Sequence, residues 1–163
     1  MKLTIIASVL AGLTSLAHAD LNADAEKKAA QEDLAKQLKA TNDACGTKIT
    51  ASYDSKSETK KPTQAGLGWG VCREAAHGIA DVCEDHPDAK KTVADKVKKI
   101  DCRFDASVSS KKSEGTGIAT DLAGTPPVPH TWLDLANGTL SLSFDWQMAN
   151  TRTEVATYLT KAL

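Results

Sequence analysis

Features that would indicate several common function classes are missing from this chain of 163 residues. The formal net charge is only −1, which argues against a protein that binds nucleic acid electrostatically. No apolar run approaches the ~20 residues that a membrane-spanning helix needs. The chain also lacks a Gly-x-Ser-x-Gly nucleophile motif and the Lys-Ser/Thr end of a phosphate-binding loop. We therefore expect neither nucleic-acid binding nor an integral membrane protein, and no pattern calls for a cofactor.

The N-terminal residues have the pattern of a secretory signal peptide. Lys2 supplies a positive charge, and an apolar run of about 11 residues follows over residues 3–13. The sequence Ala-His-Ala at 17–19 is the small-x-small pattern that signal peptidase accepts. We therefore expect residues 1–19 to be removed and the protein to be periplasmic or secreted.

The mature chain has the length of one domain. Cleavage after Ala19 makes Asp20 the new N-terminus, with cleavage after Ala17 as the alternative. Residues 20–163 are enough to bury a real hydrophobic core without depending on covalent cross-links. We predict a single soluble domain over this range.

Four cysteines lie in the predicted mature domain, at Cys45, Cys72, Cys83 and Cys102. An even number in an exported chain predicts two disulfides, and the spacings fit neither a zinc site nor a thiol oxidoreductase. Cys72 and Cys83 fall on one predicted helix, on the same side but roughly 16 Å apart, which is too far for a bond between them. We predict Cys45–Cys72 and Cys83–Cys102, with the crossed pairing as the alternative.

The remaining patterns predict an α+β domain, with helices packed on a small antiparallel sheet of about three to five strands. The clearest signal is Asn137-Gly138 between two alternating runs, which is the preferred turn of a tight hairpin. Residues 151–154 (Thr-Arg-Thr-Glu) match a capping box before a final helix. The full prediction comprises helices over 22–43, over 70–84 and from 87, strands over 48–53, 100–108, 118–122, 132–135 and 139–146, and a mobile loop over 54–68.

Polar side chains follow one face of the second predicted helix. Glu74, His77 and Asp81 are three and four residues apart, so they stack along that face. Glu-x-x-His is also half of a motif used in carboxylate-bridged metal bundles, which need two copies. Only one copy is present here, and a solvated helix face explains the same residues. These three residues are the candidate metal ligands.

Two further segments are candidate binding surfaces. Trp69, between glycines just before the second helix, offers a flat surface for a ligand or partner, or else fills the edge of a core that has few aromatic residues. The proline-rich stretch 126–130 ends at His130, close to Trp132 and Asp134. No nucleophile accompanies this histidine, so a segment that covers the hairpin is the simpler interpretation.

These observations favour a non-enzymatic exported module that binds an unidentified protein or envelope component. Two alternatives remain open. One is an inhibitor of a secreted enzyme that presents residues 54–70, and the other is a small metal-dependent enzyme that uses Glu74, His77 and Asp81.

Overall fold

The computed structural model describes residues 11–54, 57, 66–108, 131–145 and 150–163, with side chains from residue 22 onward. Within these ranges the chain is α+β, as predicted, and no helix there is both long and apolar enough to cross a membrane. The predicted strand 118–122, His130 and most of the predicted mobile loop lie outside the described residues. The elements are α1 (Ala11–Cys45), β1 (Thr50–Asp54), α2 (Leu67–Asp85), a 3-10 turn (Pro87–Ala89), α3 (Lys90–Lys96), β2 (Lys99–Phe104), β3 (Thr131–Ala136), β4 (Thr139–Phe144) and α4 (Thr151–Ala162).

The sheet of four strands is mixed, so the antiparallel arrangement that the sequence predicted is wrong. The strand order is β1-β2-β4-β3. β2 pairs in parallel with both β1 and β4, and only β3 and β4 are antiparallel. The reason is that α2 and α3 form a crossover from β1 to β2, which returns the chain to the same end of the sheet before β2 begins.

One face of the sheet carries the hydrophobic core. Alternate residues of β2 and β4 are buried beneath α2, as the period-two pattern of a strand requires. The Phe144 ring packs against the rings of Tyr53 and Phe104, with ring centroids 6.1 and 6.0 Å away. The buried strand residues of this core are Tyr53, Ile100, Cys102, Phe104, Leu133, Leu140, Leu142 and Phe144.

Helices α1 and α2 run side by side in the same direction. Ala30 lies beside Gly66 near the start of α2, whereas the Thr41 hydroxyl donates a hydrogen bond of 2.9 Å to the Ala76 carbonyl further along. Leu34 is buried between these contacts, so α1 packs on α2 through a thin apolar stripe.

Both disulfides hold α2, and they form the crossed pairing. Cys45 bonds to Cys83 and Cys72 to Cys102, with Cα atoms 5.3 and 6.0 Å apart. The preferred prediction was therefore wrong, although Cys72 and Cys83 indeed do not bond to each other. The preferred pairing was wrong because β1 and β2 are parallel. Cys102 of β2 is in register with Tyr53 at the end of β1, which lies near the start of α2 and therefore near Cys72. The chain just before β1 lies at the opposite end of α2, which places Cys45 beside Cys83.

The predicted hairpin is confirmed. Asn137 and Gly138 connect β3 to β4 with φ angles of 51° and 80°. Two consecutive positive φ angles are typical of the type I′ turn, whose twist matches that of the flanking strands. Glycine is therefore required by the backbone at the second of these positions.

The predicted last helix is present, but it begins at Thr151 and its cap is Asn150, the residue before. The Asn150 side chain accepts a hydrogen bond of 3.4 Å from the backbone N–H of Thr153. Asparagine is among the best residues at this position because its short side chain reaches the free N–H groups of the first turn. The capping-box match at residues 151–154 was thus one residue late.

Tyr158 of α4 covers the free edge of strand β3. Its hydroxyl accepts a hydrogen bond of 2.9 Å from the backbone N–H of Leu135. Burial raises the pKa of Tyr158, which favours the neutral phenol. This contact satisfies one backbone donor at a sheet edge that would otherwise be open to pairing with another chain.

Candidate functional site

A cleft of about 320 Å³ lies where the first turns of α2 meet the start of α4. Its size is at the lower end of the range for small-molecule sites, roughly 300–1,000 Å³. Helix α2 supplies an apolar wall and two charged side chains, and α4 supplies polar residues from its first turn. The lining residues are Leu67, Gly70, Val71, Arg73, Glu74, Asn150, Thr151 and Arg152.

The two walls of the cleft are fixed in place by covalent and ionic links. The Cys72–Cys102 disulfide joins the first part of α2 to the sheet. Arg152 of α4 makes a two-pronged ion pair with Asp81 of α2, from Nε to Oδ2 and from Nη2 to Oδ1, both at 2.6 Å. A guanidinium group that binds both oxygens of a carboxylate fixes orientation as well as distance.

The hydrogen bonds from Arg152 hold the pKa of Asp81 below its usual range. We expect Asp81→Asn to lower the free energy of unfolding at pH 7 by about 0.5–1 kcal/mol, a modest amount because the pair is partly exposed. The folded-state pKa is lowered, so this stabilisation is present above the unfolded pKa of about 3.9 and is lost as the pH falls through the folded value.

Urea unfolding of wild type and Asp81→Asn at pH 7 and at about pH 2 measures this effect. The two midpoints should differ at pH 7 and approach each other in acid. Asp85→Asn, which removes an exposed carboxylate from the end of the same helix, is the matched control and should follow wild type at both pH values. A difference that persists unchanged in acid would contradict the role of this ion pair.

Charged groups of both signs line the cleft. Arg73 donates to Glu74 Oε1 from Nη2 at 2.6 Å and from Nε at 3.1 Å, and both side chains are about 40% exposed or slightly less. Together with Arg152, the lining therefore holds two guanidinium groups and one carboxylate. Such an arrangement can bind and orient a polar ligand.

The three predicted metal ligands do not come together as a site. Glu74 is paired with Arg73 and Asp81 with Arg152, and His77 lies half-buried between them on α2. No group of three or more His, Cys, Asp or Glu side chains within the described ranges could hold a metal ion. This face of α2 is an ion-paired surface, and only Glu74 of the three lines the cleft.

Trp69 lies at the edge of the core. Its ring meets the ring of Tyr53 edge to face, with centroids 5.4 Å apart, and the residue is half-buried. The indole Nε1 is buried and has no hydrogen-bond partner in the part of the chain that the structure describes. Trp69 therefore fills the core edge and does not line the cleft.

Trp132 lies on the other, polar face of the sheet, far from α2. It is in register with Ser143 of β4, whose hydroxyl oxygen accepts a hydrogen bond of 3.0 Å from Nε of Arg103. On the same face, the Ser52 hydroxyl donates to the Asp101 carboxylate, and this bond is the main cause of the lowered pKa of Asp101. Trp69 and Trp132 are thus on opposite sides of the sheet and form no single site.

The sequence analysis missed both arginines of the cleft, although composition carried a signal. The chain contains 17 lysines but only three arginines, Arg73, Arg103 and Arg152. All three hydrogen-bond to another side chain, a role for which a planar guanidinium group is better suited than an ammonium group.

Comparison of the chain with protein-family models, with curated proteins and with solved structures finds no match.

Proposed function

We propose that this chain is an exported, disulfide-stabilised module that binds a protein or envelope component without catalysing a reaction, through the cleft between α2 and α4. One observation carries this proposal. The cleft is preformed, since its α2 wall is bonded to β2 through Cys72 and its α4 wall is held by the Arg152–Asp81 pair. A rigid surface loses less conformational entropy when a ligand binds.

The disulfides also support the compartment. Stable disulfides form in oxidising compartments and are rare in the reducing cytosol, so two of them indicate an extracellular or periplasmic protein. The N-terminal pattern over residues 1–19 agrees with export by cleavage of a signal peptide.

Neither alternative function has a comparable observation in its favour. The inhibitor hypothesis rests on residues 54–70, of which 54, 57 and 66–70 are described, and 67–70 form the first turn of α2. The metal-enzyme hypothesis needs free carboxylates, whereas Glu74 and Asp81 are each bonded to an arginine.

Site-specific photocrosslinking in an export-competent host tests the proposal. A photoreactive phenylalanine analogue at Leu67, inside the cleft, should give one discrete adduct in the envelope fraction. The same analogue at Lys91, exposed on α3, is the matched control and should give none. Equal adducts at both positions, or none at Leu67, would count against binding through the cleft. Mass spectrometry of the same preparation determines whether the chain begins at Asp20.

A further inference from the structure

Gly70 has no packing reason to be glycine among the described residues. The other two glycines of α2 do have such a reason, because each lies against a neighbouring element. A Cβ added at Gly68 would lie 2.0 Å from the Tyr53 ring, and one added at Gly78 would lie 2.4 Å from the Arg152 carbonyl oxygen. At Gly70, no described atom lies within 4 Å of an added Cβ. Glycine destabilises a helix relative to alanine, so this position carries a cost that no contact within the described chain explains. The space it leaves opens into the cleft.

The polar groups around this space are mainly hydrogen-bond donors. A guanidinium group has five N–H donors. Arg73 and Arg152 each use Nε and Nη2 on a carboxylate, which leaves N–H groups on both side chains for another acceptor. The Asn150 side chain adds amide donors at the α4 end. Glu74 is the single carboxylate among the described lining residues, and Asp81, which pairs with Arg152, lies outside the lining.

The wall beside these donors is apolar. Leu67 and Val71 line the cleft on either side of Gly70 along α2. A ligand that matches both parts needs an acceptor-rich head and a short apolar body. A carboxylate has the planar, two-oxygen geometry that an arginine fork recognises. A phosphate group carries close to two negative charges at neutral pH, and each guanidinium group here is already paired with a carboxylate, so the smaller charge of a carboxylate suits the cleft better.

We infer that the cleft binds one carboxylate group on a short apolar body, as presented by the C-terminal residue of a peptide or by a small apolar acid, with the apolar part lying over Gly70. This inference rests on the proposed function and names the chemistry of its ligand. Arg73 and Arg152 hold the carboxylate, while Gly70, Leu67 and Val71 receive the apolar body.

A pair of probes that differ only in charge tests the inference. N-acetyl-alanyl-leucine as the free acid is titrated into the ¹⁵N-labelled oxidised protein and compared with the same dipeptide as its C-terminal amide. The acid should shift the amide resonances of residues 67–74 and 150–152 and saturate by the low millimolar range or below, with the amide about tenfold weaker or worse. Isovaleric acid, which lacks the peptide, distinguishes the two sources: matching affinity identifies a small acid, and weaker binding a peptide terminus.

Two variants and one control locate the site. Arg73→Gln should weaken binding of the acid by about tenfold or more, whereas Lys91→Gln, which removes a positive charge on α3, should leave it unchanged. Gly70→Leu places a side chain where the ligand's apolar body would lie and should abolish binding. Its thermal unfolding should occur at or above the wild-type temperature, which shows that the loss is not a loss of folding.

Several results would overturn the inference. Equal binding of acid and amide, binding of inorganic phosphate as tight as that of the acid, or full binding by Gly70→Leu would each do so. If neither the dipeptide acid nor isovaleric acid binds but the Leu67 crosslink still forms, the carboxylate inference fails and the binding function stands. If the crosslink also fails, both proposals fall.

Discussion

Removal of the two disulfides should nearly unfold the protein. The bonds close loops with sequence separations of 38 and 30 residues. On the chain-entropy model, each loop of this length contributes about 4 kcal/mol to the free energy of unfolding. Cys72 lies between Cys45 and Cys83 in the chain, so the loops overlap and their contributions are not independent. We expect loss of both bonds to cost roughly 6 kcal/mol, which is comparable to the total of about 5–15 kcal/mol for a typical domain.

Urea unfolding followed by circular dichroism, with and without a thiol reductant, measures this effect. The reductant should move the wild-type midpoint to low urea. The midpoints of the pair variants Cys45→Ala/Cys83→Ala and Cys72→Ala/Cys102→Ala, measured without reductant, should each lie between those of oxidised and reduced wild type. A variant with all four cysteines replaced is the control, because the reductant should leave it unchanged. A wild-type midpoint that does not respond to complete reduction would show that the bonds contribute little.

The Cys72–Cys102 bond should matter more for the cleft than the Cys45–Cys83 bond. Cys72 lies between the cleft residues Val71 and Arg73, so its bond to β2 fixes the wall that carries them. Cys83 lies at the other end of α2, about three turns away. The first bond thus connects the stability of the fold directly to the geometry of the proposed site.

Local patterns were enough to predict the elements of the fold. Asn137-Gly138 predicts the hairpin because only a few residue pairs adopt two positive φ angles readily. The apolar residues of α2 recur at helical spacing, and its buried face, which includes Ala75, Ile79 and Val82, follows that spacing. Both signals act between residues close in the chain, and therefore the sequence alone reveals them.

The arrangement of the elements was not predictable in the same way. Helices that connect two strands either fold back on each other or carry the chain across to a parallel neighbour, and the apolar pattern of α2 is the same in both cases. The sequence analysis did not identify α2 and the following helix as a crossover between parallel strands, and the strand directions and the disulfide pairing were wrong for the same reason. Knowledge that a crossover makes β1 and β2 parallel would have corrected both the strand directions and the disulfide pairing.

The candidate site shows the same division between local and long-range information. Helical spacing predicted that Glu74, His77 and Asp81 share one face of a helix, and all three do lie on α2. The partner of Asp81, however, is Arg152, which is 71 residues away in the chain. Two residues this far apart in the chain produce no periodic pattern in the sequence. Helical spacing alone therefore suggested a metal ligand at Asp81, where the structure has an ion pair.

Gly78→Ala should destabilise the protein strongly although alanine is the better helix residue. An added Cβ would lie 2.4 Å from the Arg152 carbonyl oxygen, 3.1 Å from Val155 Cβ and 3.2 Å from the Ala156 backbone nitrogen. Two of these atoms belong to the backbone of α4, so relief requires the whole helix to move away from α2. We expect a loss of about 2–3 kcal/mol in the free energy of unfolding, larger than the gain of roughly 0.5–1 kcal/mol from helix propensity.

The same substitution at Gly70 should act in the opposite direction, which makes it the matched control. No described atom lies within 4 Å of a Cβ at that position, so Gly70→Ala keeps the propensity gain of up to about 1 kcal/mol without a clash. Urea unfolding of the two variants and wild type under oxidising conditions measures both the expected loss of stability and the expected gain in one experiment. If Gly78→Ala were as stable as Gly70→Ala, helix α4 could not pack on α2 as closely as the cleft requires, because Arg152 reaches Asp81 only through that contact.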